Sequence, residues 1–115
     1  MKATFTRYFE FSASYAKDGK VWGRNFRLGL TAHPMDEKTE AAFVHAVEES
    51  LIQKIESKDL SLHVDFLKGT EITDLNLLRA FRTVLRAPIA PITLKSLSLE
   101  RDARTVTVLQ VDEDV

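Results

Sequence analysis

The chain has 115 residues, of which 44% are hydrophobic and 29% are charged, a balance typical of one globular domain spanning residues 1–115. Its 16 basic and 17 acidic residues leave a formal charge of −1, so no basic excess indicates nucleic-acid binding. Cysteine is absent, which excludes disulfides, thiolate metal ligands and a cysteine nucleophile. The first residues lack the apolar segment of a signal peptide, and charges interrupt every later apolar run. We therefore expect a cytoplasmic protein without a membrane partner.

The first two elements are predicted to be strands joined by a short turn. Aromatic and small residues alternate with polar ones from Thr4 to Tyr15 and again from about Val21 to Ala32, the period of a half-buried strand. In the turn at 16–20, Asp18-Gly19 tolerates positive φ, which favours an antiparallel hairpin. Arg24 lies on the mostly apolar face of the second strand. It either pairs with a carboxylate at the end of the sheet or lines a ligand pocket.

Two amphipathic helices follow. The first is capped by Asp36 and runs to about Ser57, with Val44, Val47, Leu51 and Ile55 at the three- and four-residue spacing of a buried stripe. The second runs from Asp74 to about Arg86 and is capped by Thr70 or Thr73. His45 lies outside the stripe, so we expect it to be exposed.

The remaining segments are predicted to be extended. In the connector 58–69, apolar Leu60, Leu62, Val64 and Phe66 alternate with polar residues, which favours a short strand or an extended segment. Two further strands are predicted at Ile92–Glu100 and Arg104–Val111, followed by an acidic, solvated end at 112–114. The order β-β-α-α-β-β predicts an α+β fold, a four-stranded antiparallel sheet with both helices on one face.

Several motifs resemble those of one enzyme family. The runs 11–15 (FSASY) and 22–26 (WGRNF) resemble the F-S-A-A-H and H-G-H-N-Y motifs of the 6-pyruvoyl-tetrahydropterin and 6-carboxy-tetrahydropterin synthases. The run 72–78 (ITDLNLL) is similar to the family's P-T-x-E-N-L-A, and Glu100-Arg101 to its glutamate-threonine pair. The resemblance spans nearly the whole chain and implies that family's architecture, the tunnelling fold.

The departures from the family concern its metal and its nucleophile. The three histidines that bind zinc in the family correspond here to Tyr15, Trp22 and Arg24. Zinc requires imidazole, thiolate or carboxylate donors, whereas tryptophan offers no lone pair and arginine stays protonated. The family's catalytic cysteine is missing as well. The resemblance thus implies a degenerate member without metal or other cofactor and without the lyase activity.

The resemblance also implies candidate site residues. Glu100 corresponds to the glutamate that anchors a pterin through its ring N–H groups, although it could equally pair with Arg24 or Arg101. With Trp22, Arg24 and Tyr15 it is expected to line a pocket for a pterin- or purine-like ring. His63 stands near the position of the family's catalytic histidine and is the candidate catalytic residue. Its alternative is an exposed histidine on a connector.

The predicted sheet has open edges, and family members join such sheets between subunits, with ligand pockets at the joins. We therefore expect a homo-oligomer, a trimer or a hexamer of two trimers. Two other functions stay open at this point. One is an active pterin-pathway lyase with reorganised catalytic residues, and the other is a purely structural or protein-interaction module.

Overall fold

The computed structural model describes residues 3–102 and 104–111 of the chain. They form a four-stranded antiparallel sheet in the order β1-β2-β3-β4. The strands are β1 (Phe5–Lys17), β2 (Lys20–Ala32), β3 (Ser96–Arg101) and β4 (Thr105–Gln110), and the helices are α1 (Glu37–Val47), α2 (Gln53–Ile55) and α3 (Asp74–Leu85). The predicted α+β fold is confirmed, while the predicted acidic end at 112–114 lies outside the described residues. No helix of the described ranges is long and apolar enough to cross a membrane.

The β1–β2 hairpin is closed by a two-residue turn. Asp18 and Gly19 both have positive φ, at 54° and 75°, as a type I′ turn requires. Lys17 therefore pairs with Lys20, and the register continues without interruption to Phe5 opposite Ala32. The turn chemistry read from the sequence fixes the pairing of both long strands.

This register divides the sheet into two faces. The helix-facing side carries the buried core residues of the strands, which are Phe9, Phe11, Ala13, Tyr15, Phe26, Leu28, Leu30, Ala32, Leu97 and Leu99. The residues between them form the opposite side, which we call the open face. It carries polar residues such as Glu10, Asn25, Arg27 and Glu100 together with the half-exposed ring of Tyr8. Alternation along each strand accounts for this separation.

Helix α1 begins as predicted at Asp36, whose side chain accepts the Thr39 N–H at 2.7 Å. That hydrogen bond lowers the pKa of the Asp36 carboxyl. The helix continues through a π-helical segment, Glu48–Ile52, into α2. The buried residues Phe43, Val47, Leu51 and Ile55 recur at every fourth position. Because an α-helix has 3.6 residues per turn, the wider i→i+5 turn of the π segment keeps this row facing the sheet.

The predicted alternation in the connector is wrong. Leu62 is 66% exposed, and the segment Asp65–Leu67 forms a single 3₁₀ turn. The buried apolar residues are instead Leu60, Val64 and Leu67. Only the start of the connector is extended, where residues 57–60 exchange backbone hydrogen bonds of 2.7–3.0 Å with Ser12 and Ser14. The connector therefore covers the second half of the β1 edge.

The third strand also differs from its prediction, because it begins at Ser96 and not at Ile92. The chain before it is a series of turns, in which the N–H groups of Ile89 and Ile92 donate to the carbonyls of Leu85 and Ile89. The turn bond of Ile92 keeps the start of the predicted strand out of the sheet, and pairing with β2 begins only where the Lys95 N–H donates to the Thr31 carbonyl at 2.7 Å. Helix α3 is capped by Thr73 rather than Thr70, through the Asn76 N–H at 3.2 Å.

Two open-face glycines of β2 allow a matched test of this packing. A Cβ added at Gly29 would collide with the Ser98 hydroxyl and reach within 3.0 Å of the Tyr8 ring, whereas one added at Gly23 meets no atom within 4 Å. We expect Gly29→Ala to destabilise the protein by about 1–3 kcal/mol, because Tyr8 and Ser98 must shift. Gly23→Ala should be stabilising by up to about 1 kcal/mol, since alanine is favoured over glycine in a strand. Denaturant unfolding at one protein concentration measures both, and equal effects would contradict the packing described.

Candidate functional site

Three of the predicted site residues lie together at the turn end of the hairpin. Tyr15 pairs directly with Trp22, and Arg24 follows Trp22 on the same, helix-facing side. Tyr15 is 7% exposed and Trp22 is 38% exposed, so the tyrosine closes the end of the core while the indole borders solvent. The structure thus places these three positions side by side, as the motif comparison requires.

The guanidinium of Arg24 is held by neighbours on three sides. Its Nε lies 3.3 Å from an Asp102 carboxylate oxygen, and Nη1 donates to the Gly23 carbonyl at 3.1 Å. Its Cζ lies 4.8 Å from the centre of the Trp22 ring, within the range of a cation–π contact. The first reading of Arg24, an ion pair with a carboxylate at the end of the sheet, is confirmed. A role in ligand binding stays a prediction.

The side chains at these positions do not fit zinc. A phenol, an indole and a protonated guanidinium stand where the resemblance requires imidazoles, and the positive charge of the guanidinium repels a cation. Elsewhere in residues 3–102 and 104–111, no group of three or more histidine, aspartate or glutamate side chains is placed to hold a metal. We derive no chemistry through a metal ion.

Glu100 lies on the opposite face of the sheet from this group. It pairs in register with Arg27, and its Oε2 lies 3.3 Å from the Arg27 Nε. The alternatives of an ion pair with Arg24 or Arg101 are therefore both wrong, since Arg101 Nε instead contacts the Asp74 carboxylate at 3.0 Å. One chain does not bring Glu100 into a shared pocket with Tyr15, Trp22 and Arg24. Successive side chains of a strand point to opposite faces of the sheet, and Glu100 lies on the open face while the other three lie on the helix-facing side.

A polar groove surrounds Glu100 on the open face. Its volume is about 600 Å³, and its lining includes Glu10, Ser12, Asn25, Arg27, Glu56, Glu100 and Asp102. The Ser12 hydroxyl donates to the Asn25 side-chain oxygen at 2.7 Å, and the Ser12 N–H donates to a Glu56 oxygen at 2.6 Å. Sequence reasoning singled out Glu100 alone. The open-face alternation of Glu10, Ser12, Asn25 and Arg27 was the signal that could have found the rest.

His63 is exposed on the turns of the connector. The two aspartates nearest to it in sequence, Asp59 and Asp65, are engaged elsewhere. Asp59 accepts the backbone N–H groups of Ser61 and Leu62, and Asp65 pairs with Lys68 at 3.3 Å. The described residues therefore supply no carboxylate to orient the imidazole, and a catalytic role of His63 stays a prediction.

Comparisons with known proteins bear on the fold. No protein-family model and no curated protein sequence matches the chain. Among solved structures, that of Caenorhabditis elegans 6-pyruvoyl tetrahydropterin synthase is similar, with a TM-score of 0.71, 17% sequence identity and coverage of 96% of each chain. The chain has the tunnelling fold. The prediction of this fold from the hairpin motifs is confirmed, and at 17% identity the likeness concerns the fold alone.

Proposed function

We propose that this chain is a zinc-free, 6-pyruvoyl-tetrahydropterin-synthase-like protein that binds a pterin- or purine-like ring and does not perform the lyase reaction. The observation that carries the proposal is the open-face groove around Glu100. The tunnelling fold supports it as an analogy, and the side chains of the groove supply the chemistry.

The groove suits a heterocycle with adjacent N–H groups. A carboxylate accepts a pair of such donors in a bidentate arrangement, and Glu100 is only 22% exposed, which favours charge-assisted hydrogen bonds. Arg27 fixes one Glu100 oxygen and lies over the Tyr8 ring, with its Cζ 5.2 Å from the ring centre. The 600 Å³ volume falls within the range of small-molecule sites.

The residues present support the proposed loss of the lyase reaction. The family's zinc stabilises a developing enolate, a contribution of several kcal/mol that Tyr15, Trp22 and Arg24 cannot supply. The chain has no cysteine to act as a base or nucleophile, and His63 has no orienting acid among the described residues. A lyase would need different chemistry from the family's.

The sheet edges support a homo-oligomer, in which the groove gains a second wall from a neighbouring subunit. The connector covers β1 only from Ser12 onward, so the outward backbone groups of Thr6, Tyr8 and Glu10 have no partner within the described residues. At the other edge β4 exposes Val106 (55%) and Val108 (51%). Unpaired edges of six to seven residues favour pairing between chains. We propose a trimer, or a hexamer of two trimers.

The ring-binding proposal is tested by calorimetric titration with pterin and with guanosine. We expect Glu100→Gln to weaken binding at least tenfold, about 1.4 kcal/mol, because an amide has one acceptor oxygen and no charge, and its NH2 group would oppose the second ring N–H. The matched control is Glu37→Gln, an exposed glutamate of α1 remote from the groove, which should bind as the unmodified protein does.

Absence of binding to both compounds would contradict the ring site. If the oligomer is intact in that case, the structural or protein-interaction module becomes the better account. Turnover of dihydroneopterin triphosphate that His63→Ala abolishes would instead support an active lyase.

The assembly proposal is tested by size-exclusion chromatography with light scattering. We expect the mass of three or six chains, and we expect the double variant Val106→Lys/Val108→Lys to dissociate because it adds charge at the β4 edge. Val21→Lys, at a valine that is 71% exposed on the hairpin, should leave the mass unchanged. If the unmodified chain stays monomeric at high concentration, the assembly proposal is wrong.

A further inference from the structure

A separate cavity lies at the end of the sheet remote from the hairpin turn, where α3 ends and β3 begins. Its volume is about 300 Å³, and it shares no lining residue with the groove around Glu100. Its walls come from the last turn of α3, the turns that precede β3, and Val111 after β4. A volume at the lower end of the range for ligand pockets suits a small molecule with one short chain or ring.

Much of the cavity wall is apolar. Ile89 and Leu94 are each 5% exposed, and Ile92 and Val111 pack against the same hydrophobic core. All four residues line the cavity. These walls favour a ligand with a hydrocarbon body over a purely ionic one, because apolar surface gains free energy when it leaves water.

Three cationic side chains complete the wall. Arg82 and Lys95 are half-buried, Arg86 is exposed, and no aspartate or glutamate of the described residues joins them in the lining. Arg82 and Arg86 lie at the C-terminal end of α3, where a helix carries a partial charge of about −0.5. Three full positive charges exceed that value, and Lys95 comes from a different segment. The helix dipole alone therefore does not account for the cluster, which favours an anion.

Two backbone donors belong to the same wall. Thr93 and Leu94 line the cavity, and the N–H group of neither residue donates to an acceptor in the described part of the chain. Leu94 is only 5% exposed, and a backbone N–H in such a residue ordinarily has a partner. A carboxylate bound beside these peptides would be a suitable acceptor.

We propose that this cavity binds a small carboxylic acid with an apolar body, of the class of short-chain fatty acids. The carboxylate pairs with the cationic side chains, and the hydrocarbon part contacts Ile89, Ile92 and Val111. The inference does not rest on the ring-binding proposal, because the two sites have no lining residue in common. Either site can fail without the other.

The test is an NMR titration of the full chain with hexanoate, acetate and hexanamide at constant ionic strength. Hexanoate should bind at least about tenfold more tightly than acetate, which lacks most of the hydrocarbon. It should also bind at least about tenfold more tightly than hexanamide, which lacks the charge. The amide signals of Thr93 and Leu94 should shift on binding, which locates the ligand in this cavity.

Two variants separate the ionic from the apolar contribution. Arg86→Gln should weaken hexanoate binding about threefold, the size expected for one exposed ion pair. The matched control is Arg79→Gln, which removes the same charge from an exposed position of α3 outside the lining and should leave the affinity unchanged. Ile92→Ala removes part of the apolar wall and should weaken binding of hexanoate about threefold, without affecting acetate.

The proposal is overturned if hexanoate does not bind, if it binds no more tightly than acetate, or if Arg79→Gln and Arg86→Gln have equal effects. The acidic run 112–114 follows Val111 directly in the sequence. If hexanoate binds only to the variant Asp112→Asn/Glu113→Gln/Asp114→Asn, the occupant is this acidic run, and the small-ligand proposal is overturned as well. Circular dichroism establishes that each variant is folded.

Discussion

The two-residue turn at Asp18-Gly19 is the constraint on which the rest of the structure depends. It sets the register of two thirteen-residue strands, and a shift of one residue would move every side chain to the other face. The core and the open-face groove both follow from that parity. Tyr15 meets Trp22 on the helix-facing side, and Arg27 meets Glu100 on the open face. Any function of the hairpin must respect this separation.

Much of the fold could be predicted where local chemistry and tertiary packing agree. The hairpin has its turn residues and its alternation, and both long helices have a capping side chain, Asp36 and Thr73. The sequence-based prediction was wrong where tertiary packing, and not local sequence, determined the structure. Leu62 alternates with buried residues in sequence yet lies exposed, because Asp59 folds the connector into turns. The π segment was visible only as the four-residue spacing of Val47, Leu51 and Ile55, which an α-helix tolerates over one or two turns.

The candidate site was harder to predict, because a site depends on which strands lie side by side. The motif comparison correctly made Tyr15, Trp22 and Arg24 neighbours, since all three belong to one hairpin. It could not show that Glu100 meets Arg27, because that contact depends on how β3 pairs with β2. Likewise Asp102, the partner of Arg24, follows β3 and lies far away in sequence. The poor fit of Tyr15, Trp22 and Arg24 to zinc could be recognised from sequence alone, because donor chemistry does not depend on the fold.

The central claim of our proposal is that the side chains of this hairpin exclude zinc at the positions that resemble the family's zinc ligands. Metal analysis of the purified protein beside the triple variant Tyr15→His/Trp22→His/Arg24→His tests it most directly. The account predicts no zinc in the unmodified chain and about one zinc ion per chain in the variant, since three histidines and a water complete a tetrahedral site. Stoichiometric zinc in the unmodified protein, or a folded variant that binds none, would contradict it.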